Sequence, residues 1–191
     1  MTCIVAYIDR KNKKQYIASD SCVSFGMNYA LKHNETKKIH SMADFFVGTA
    51  GVVGTIQLIF NSFIIPDREE SMTFYDYLQD MFCNQLRIHL LQYGLCEEER
   101  IWEMLIVHEG DIYKIGGDYS VIKLANDFWS IGMGEVALGY LEALKKSDVS
   151  ITDKIKGALK ASCDYCAGVK PPFHIKSADY GKIQTKSKKK P

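Results

Sequence analysis

Strand-like and helix-like patterning alternate in blocks along this chain, and the order of the blocks constrains its fold more than any other feature. Cys3 to Tyr7 and Tyr16 to Ser19 flank a polar hairpin at Asp9 to Lys14, and Lys37 to Ser41 pairs with Phe45 to Thr49 around Met42-Ala43-Asp44. Gly51 to Phe63 then carries apolar residues at 52, 53, 56, 59, 60 and 63, the stripe of an amphipathic helix, closed by Pro66-Asp67. Ser71 opens a longer helix with Phe74, Tyr77, Leu78, Met81, Phe82, Leu86, His89 and Leu90 on its buried side, and Gly94 stops it. Strands return at Trp102 to His108, Asp111 to Gly116, Val121 to Leu124 and Phe128 to Gly132. Helices come next at Glu135 to Lys146 and from Thr152 to about Cys166, capped by Ser150 or Thr152, and a last strand, Phe173 to Lys176, lies past Pro171-Pro172.

Strands, two helices, strands, two helices, strand is the signature of antiparallel sheets that each bury one face under a helix pair and the other against a fellow sheet. The expected fold is therefore α+β, a four-layer αββα sandwich. At 191 residues and 47% hydrophobic the chain can bury one good core, which predicts a single domain over 2–177. Residues 178–191 read as a basic, solvated tail. Lys170 to Pro191 holds seven Lys against one Asp, so the rest of the chain carries about −5 of a net +1 and has no nucleic-acid-binding composition.

The six cysteines, at 3, 22, 83, 96, 163 and 166, are scattered through apolar runs and not spaced as a disulfide framework. Thr2 and a strand come directly after Met1, with no basic and apolar export signal, so a reducing cytoplasm is the expected compartment. The longest apolar candidate, Val52 to Ile65, is broken by Thr55, Gln57, Asn61 and Ser62, and no membrane segment is expected.

Thr2 beside a removable Met1 is the feature that bears on chemistry. A chain that begins at Thr2 carries a hydroxyl and a free α-amine on one residue, and an α-amine with a pKa of about 7.7–8.0 can take a proton near neutrality. Downstream of it stand, in order, Ile17-Ala18-Ser19-Asp20-Ser21-Cys22-Val23-Ser24-Phe25-Gly26, then Lys37-Lys38-Ile39, then Phe46-Val47-Gly48-Thr49-Ala50-Gly51. Together with Trp129-Ser130-Ile131-Gly132-Met133-Gly134 and Ala161-Ser162-Cys163-Asp164, this resembles the proteasome β subunits and their bacterial HslV relatives, N-terminal nucleophile (Ntn) hydrolases, over roughly residues 2 to 177.

The resemblance implies a threonine-type peptidase in which Thr2 attacks an amide carbonyl and its amine is the base. Lys38 matches the lysine that holds positive charge beside the nucleophile, Asp20 the acid that pairs with it, and Gly48 the glycine whose N–H enters the oxyanion hole. Asp164 matches a helical acid that steadies the N-terminal group. Ser24 matches the residue that hydrogen-bonds an extended peptide, and Val23, Phe46, Ala50, Val53 and His40 would form a medium, apolar substrate pocket. Relatives of this kind form homo-oligomeric rings and often take unfolded polypeptide from an ATP-dependent unfoldase.

Three departures stand out. Met133 replaces a serine in the Gly-Ser-Gly turn, Gly168 or Val169 falls where a helical hydroxyl is usual, and Cys22 replaces an arginine. A small-amide hydrolase on the same fold, or a non-catalytic assembly protein that retains Met1, are the alternatives.

No cofactor is implied. Cys163-x-x-Cys166 stands alone without a spaced His, which gives little basis for zinc or redox chemistry. By resemblance, Cys163, Cys166 and Val169 could offer main-chain carbonyls to a structural monovalent or divalent cation. His33, His40, His89, His108 and His174 form no metal-hydrolase pattern, and Gly132-x-Gly134 lacks a nucleotide-binding context.

Overall fold

Strand β1 (Cys3–Asp9) is buried along its whole length, which only a strand covered on both faces can be. A computed structural model of the chain describes residues 1–25, 29–32, 37–95 and 102–183, with backbone only for 24, 25 and 29–32. The side chains of β1 divide by alternation. Cys3, Val5 and Tyr7 join a cluster with Ala137, Leu141, Ile155 and Leu159, whereas Ile4, Ala6 and Ile8 join one with Ile39, Phe46, Leu105 and Val107.

Two antiparallel sheets hold nine of the eleven described strands. In the first, β1 lies between β10 (Phe128–Gly132) and β2 (Lys14–Ser19), with β11 (His174–Asp179) outside β2. The second has the order β5 (Ile39–Met42), β6 (Phe45–Gly51), β7 (Trp102–His108), β8 (Asp111–Ile115), β9 (Val121–Leu124). A separate two-stranded ribbon, β3 (Cys22–Phe25) with β4 (Tyr29–Lys32), comes after Asp20 and has no counterpart among the strands expected from patterning.

The helices fall where the apolar stripes predict, with shorter ends. α1 is Val53–Ser62. The longer helical stretch starts at α2 (Phe74–Asp76), not at Ser71, because Thr73 caps it by accepting the Asp76 N–H at 3.2 Å. It continues through a π-helical turn at Tyr77–Phe82 into α3 (Cys83–Gln92). α4 is Glu135–Ala143, and α5 (Ile151–Tyr165) is capped by Ser150, whose Oγ accepts the Asp153 N–H at 3.2 Å. Ile59 of α1 and Leu78, Phe82, Leu86 and Leu90 pack on Phe45, Val47, Met104 and Ile106 of the five-stranded sheet. α4 and α5 cover the outer face of the four-stranded sheet. β11 runs two residues past the expected boundary at 177, and Tyr180 and Ile183 still pack against the cluster between the sheets. Residues 184–191 of the expected tail lie outside the described residues.

The two sheets approach closely at Gly48. A Cβ there would lie 2.6 Å from Ile4 Cγ2 and 3.1 Å from Ile17 Cδ1. Gly48→Ala is therefore expected to destabilise the fold by about 1–3 kcal/mol through overpacking, read as a lower midpoint in urea unfolding. An unchanged midpoint would mean the sheets can part at no cost.

Candidate active site

Asp20 leaves β2 at the point where three chain segments meet, and its carboxylate ties all of them. Oδ1 accepts the Cys3 N–H at 2.9 Å and the Lys38 ammonium at 2.7 Å, and Oδ2 accepts the Cys22 N–H at 2.8 Å and the Lys170 N–H at 3.3 Å. Asp20 is fully buried and Lys38 is 6% exposed. An ammonium taken this far out of water stays charged only if paired, and this one has its partner. Burial still pulls the Lys38 pKa below the ordinary lysine value, with Asp20 opposing.

Thr2 immediately precedes β1 and is itself buried. Its carbonyl accepts the Met133 N–H at 2.7 Å from the turn that ends β10. Gly132 has φ +71° and lies so close to the Thr2 carbonyl that any side chain there would strike it. Across the sheets, Glu103 at the start of β7 holds the same turn by accepting the Gly132 N–H at 3.3 Å, while Lys114 donates to its other oxygen at 3.0 Å. Main-chain bonding and this carboxylate therefore support the turn in which Met133 stands where relatives have serine.

Thr2, Lys38, Gly51, Cys22, Val23, Val53 and Ile56 line one small cleft of about 40 Å³. The Met1 α-amine lies at its edge, with a pKa below the ordinary value, first from burial and then from the Lys38 charge. The Met1 side chain lies against Gly168, where a Cβ would collide with it. Cys22, a second nucleophile in the cleft, has its thiol pKa raised by burial and then by Asp20, which keeps it protonated. Burial pushes the neighbouring Cys3 thiol to about 11.

Thr2, Asp20, Lys38, Val23 and Val53 thus come together, and Ala50 lines the adjoining larger groove. The other expected site residues fall elsewhere, for reasons of strand alternation and helix phase. Gly48 faces Ile4 and Ile17 between the sheets. The Thr49 N–H donates to the Lys38 carbonyl at 3.1 Å, so alternation turns the Gly48 N–H toward β7 and the Gly51 N–H toward the side where β5 ends. Gly51, with φ +141°, is the glycine at the cleft.

Phe46 belongs to the cluster between the sheets. His40 stacks on Phe60 of α1 at 3.6 Å and bonds the Lys37 carbonyl at 2.9 Å, so neither of them lines the cleft. Asp164 faces solvent and pairs with Lys160 at 2.6 Å, one helical turn back, and makes no bond to Thr2. Ser24 lies in β3, and its side chain is outside the described part of the structure.

At the suggested main-chain cation site the Cys166 carbonyl accepts the Val169 N–H at 3.1 Å. No cluster of three His, Cys, Asp or Glu occurs among the described residues. Among the described residues no helix is long and apolar enough to cross a membrane.

Solved structures share this architecture. BPH of Thiobacillus denitrificans, solved in complex with epoxomicin, matches 96% of this chain and 100% of its own with a TM-score of 0.76 at 18% identity. Eukaryotic HslV from Trypanosoma brucei matches 93% of this chain and 99% of its own, with a TM-score of 0.66 at 17% identity. The fold is that of the proteasome-like Ntn hydrolases. The Anbu complex from Pseudomonas aeruginosa, solved as a helical assembly, shares it, with a TM-score of 0.70 at 15% identity over 96% of this chain and 83% of its own. No family model and no curated protein matches the sequence.

Asp20 is the anchor whose loss is expected to cost most. Asp20→Ala strands three buried N–H donors and an ammonium and should destabilise the fold by about 3–5 kcal/mol. Lys38→Met should cost less, because the carboxylate keeps its three amides. Urea unfolding of both variants checks the order, and a reversal would mean that the ammonium, not the amides, holds Asp20 in place.

Proposed function

We propose that this protein is a threonine-type Ntn hydrolase that cleaves amide bonds in polypeptides once Thr2 heads the chain. The observation that carries the reading is a buried ammonium, fixed by Asp20, in the same cleft as the Thr2 residue and Gly51. The Thr2 Oγ attacks the amide carbonyl carbon, and its proton passes to the Thr2 α-amine. The new oxyanion takes the Gly51 N–H, a donor of a kind worth about 3–4 kcal/mol in the transition state. When the C–N bond breaks, the Thr2 α-ammonium returns the proton to the departing nitrogen, and an ester is left on Thr2. Water, deprotonated by the same amine, hydrolyses the ester and restores the hydroxyl.

Lys38 takes no proton in this scheme. Its charge favours the neutral amine and the developing alkoxide. The Met1 amine, lowered by burial and then by the Lys38 charge, gives the direction expected of a Thr2 amine, since Thr2 lines the same cleft as Lys38.

Three apolar clusters, one between the sheets and one under each set of helices, support an αββα stacking order. Likeness to the Anbu helical assembly and to HslV supports a homo-oligomer.

The intact mass of the purified protein gives the first test, with loss of Met1 expected. Epoxomicin, which is bound by the BPH of similar fold, should then add to the mature chain, and Thr2→Ala and Lys38→Ala should abolish or greatly slow the addition. Retention of Met1, or unchanged labelling of Thr2→Ala, would overturn the reading.

The rate of labelling should also depend on pH in a defined sense. The amine acts only when neutral, so the rate falls as pH drops through the pKa of the amine, and a lowered pKa places that limb below about 7.7–8.0. At high pH the rate falls again as Lys38 loses its proton, below the ordinary lysine value of about 10.4. An acid limb at or above the ordinary α-amine range would remove Lys38 and burial from the mechanism.

A further inference from the structure

A second groove, about 600 Å³ in volume, opens beside Thr2 and shares Thr2 and Gly51 with the Lys38 cleft. It lies at the ends of β7, β8 and β9, facing the Gly132–Met133 turn across the gap between the sheets. A polypeptide held at Thr2 by one carbonyl has to run out in two directions, and the two openings supply them. The resemblance that sets Ser24 of β3 against an extended peptide gives the half that becomes the ester to the small cleft, which Cys22 and Val23 of β3 line. The departing half is left with the groove.

The chemistry of the groove favours an apolar occupant. Its charged lining groups, Glu103 and Lys114, are paired with each other at 3.0 Å, and Glu103 also holds the Gly132 N–H. The pairing offsets the two charges on the groove wall. Trp102 lies buried beneath, and Ala50 and Met133 add apolar surface. Ile122 is 51% exposed on β9, an edge strand of the second sheet, where a charged residue is the usual protection against unwanted pairing. Its side chain lines the groove.

We propose that this groove binds the departing segment of a polypeptide substrate and that Ile122 and Met133 select a large apolar side chain directly after the scissile bond. The proposal rests on the hydrolase reading above, and its test separates the two. Mature wild-type protein is incubated with an unfolded polypeptide, the cut sites are mapped by mass spectrometry, and epoxomicin labelling, which forms no departing segment, is timed in parallel.

Wild type should favour cuts before Leu, Ile or Phe. Ile122→Asp should lower those cuts by about 10–100-fold, the scale of losing an apolar contact in a specificity pocket, with the labelling rate unchanged. Ile122→Phe, which narrows the groove at this point, should shift preference toward smaller residues. Wild-type preferences retained in a labelled Ile122→Asp would overturn the proposal, as would loss of labelling in that variant, because Ile122 would then serve Thr2 and not the departing half. A wild type that takes no label overturns the hydrolase reading itself.

Discussion

One buried carboxylate holds the amino end of this protein in place. Asp20 binds the amides of Cys3, Cys22 and Lys170 and the ammonium of Lys38, so β1, the β2–β3 junction, the segment after α5 and the approach to β5 converge on two oxygen atoms. Remove the ammonium and the carboxylate is still solvated by amides. Remove the carboxylate and four donors lose their acceptor at once. The ion pair is also what keeps a positive charge in a place where burial alone would discharge it.

The second constraint comes from the other side of Thr2. The Gly132–Met133 turn grips the Thr2 carbonyl, and Glu103 braces that turn from the opposite sheet. Ala50, the partner of Glu103 in the β6–β7 ladder, immediately precedes Gly51. The strand that follows Thr2 and the strand end that carries Gly51 are therefore linked through the Glu103 side chain. Small relative movements of the two sheets are resisted at the point where Thr2 and Gly51 share a cleft.

Much of this is legible in the sequence, and the parts that are not share one cause. Helix stripes and strand blocks are local signals, and they place the elements to within a few residues. Asp20 and Lys38 are legible because their order and spacing are carried by short strings. Gly48, Phe46 and His40 escape such reading because a strand turns each successive residue to the opposite face, and the register of β5 on β6 is not written in either strand alone. Gly48 answers a packing need against Ile4, whereas Gly51, three residues on, stands at the cleft. Asp164 escapes it for the helical version of the same reason, since its pairing with Lys160 comes from i, i+4 spacing on the solvent face of α5. Glu103 carries no local signal at all, as its role exists only once β7 lies across from the turn that ends β10.

The hold on Thr2 at the 132–134 turn runs from main chain to main chain. Such a tether is indifferent to what side chain residue 133 bears, so long as glycine precedes it and the strand beneath is kept in register. A hydroxyl at that position is therefore not what fastens Thr2, and residue 133 can change its side chain while the tether stays in place.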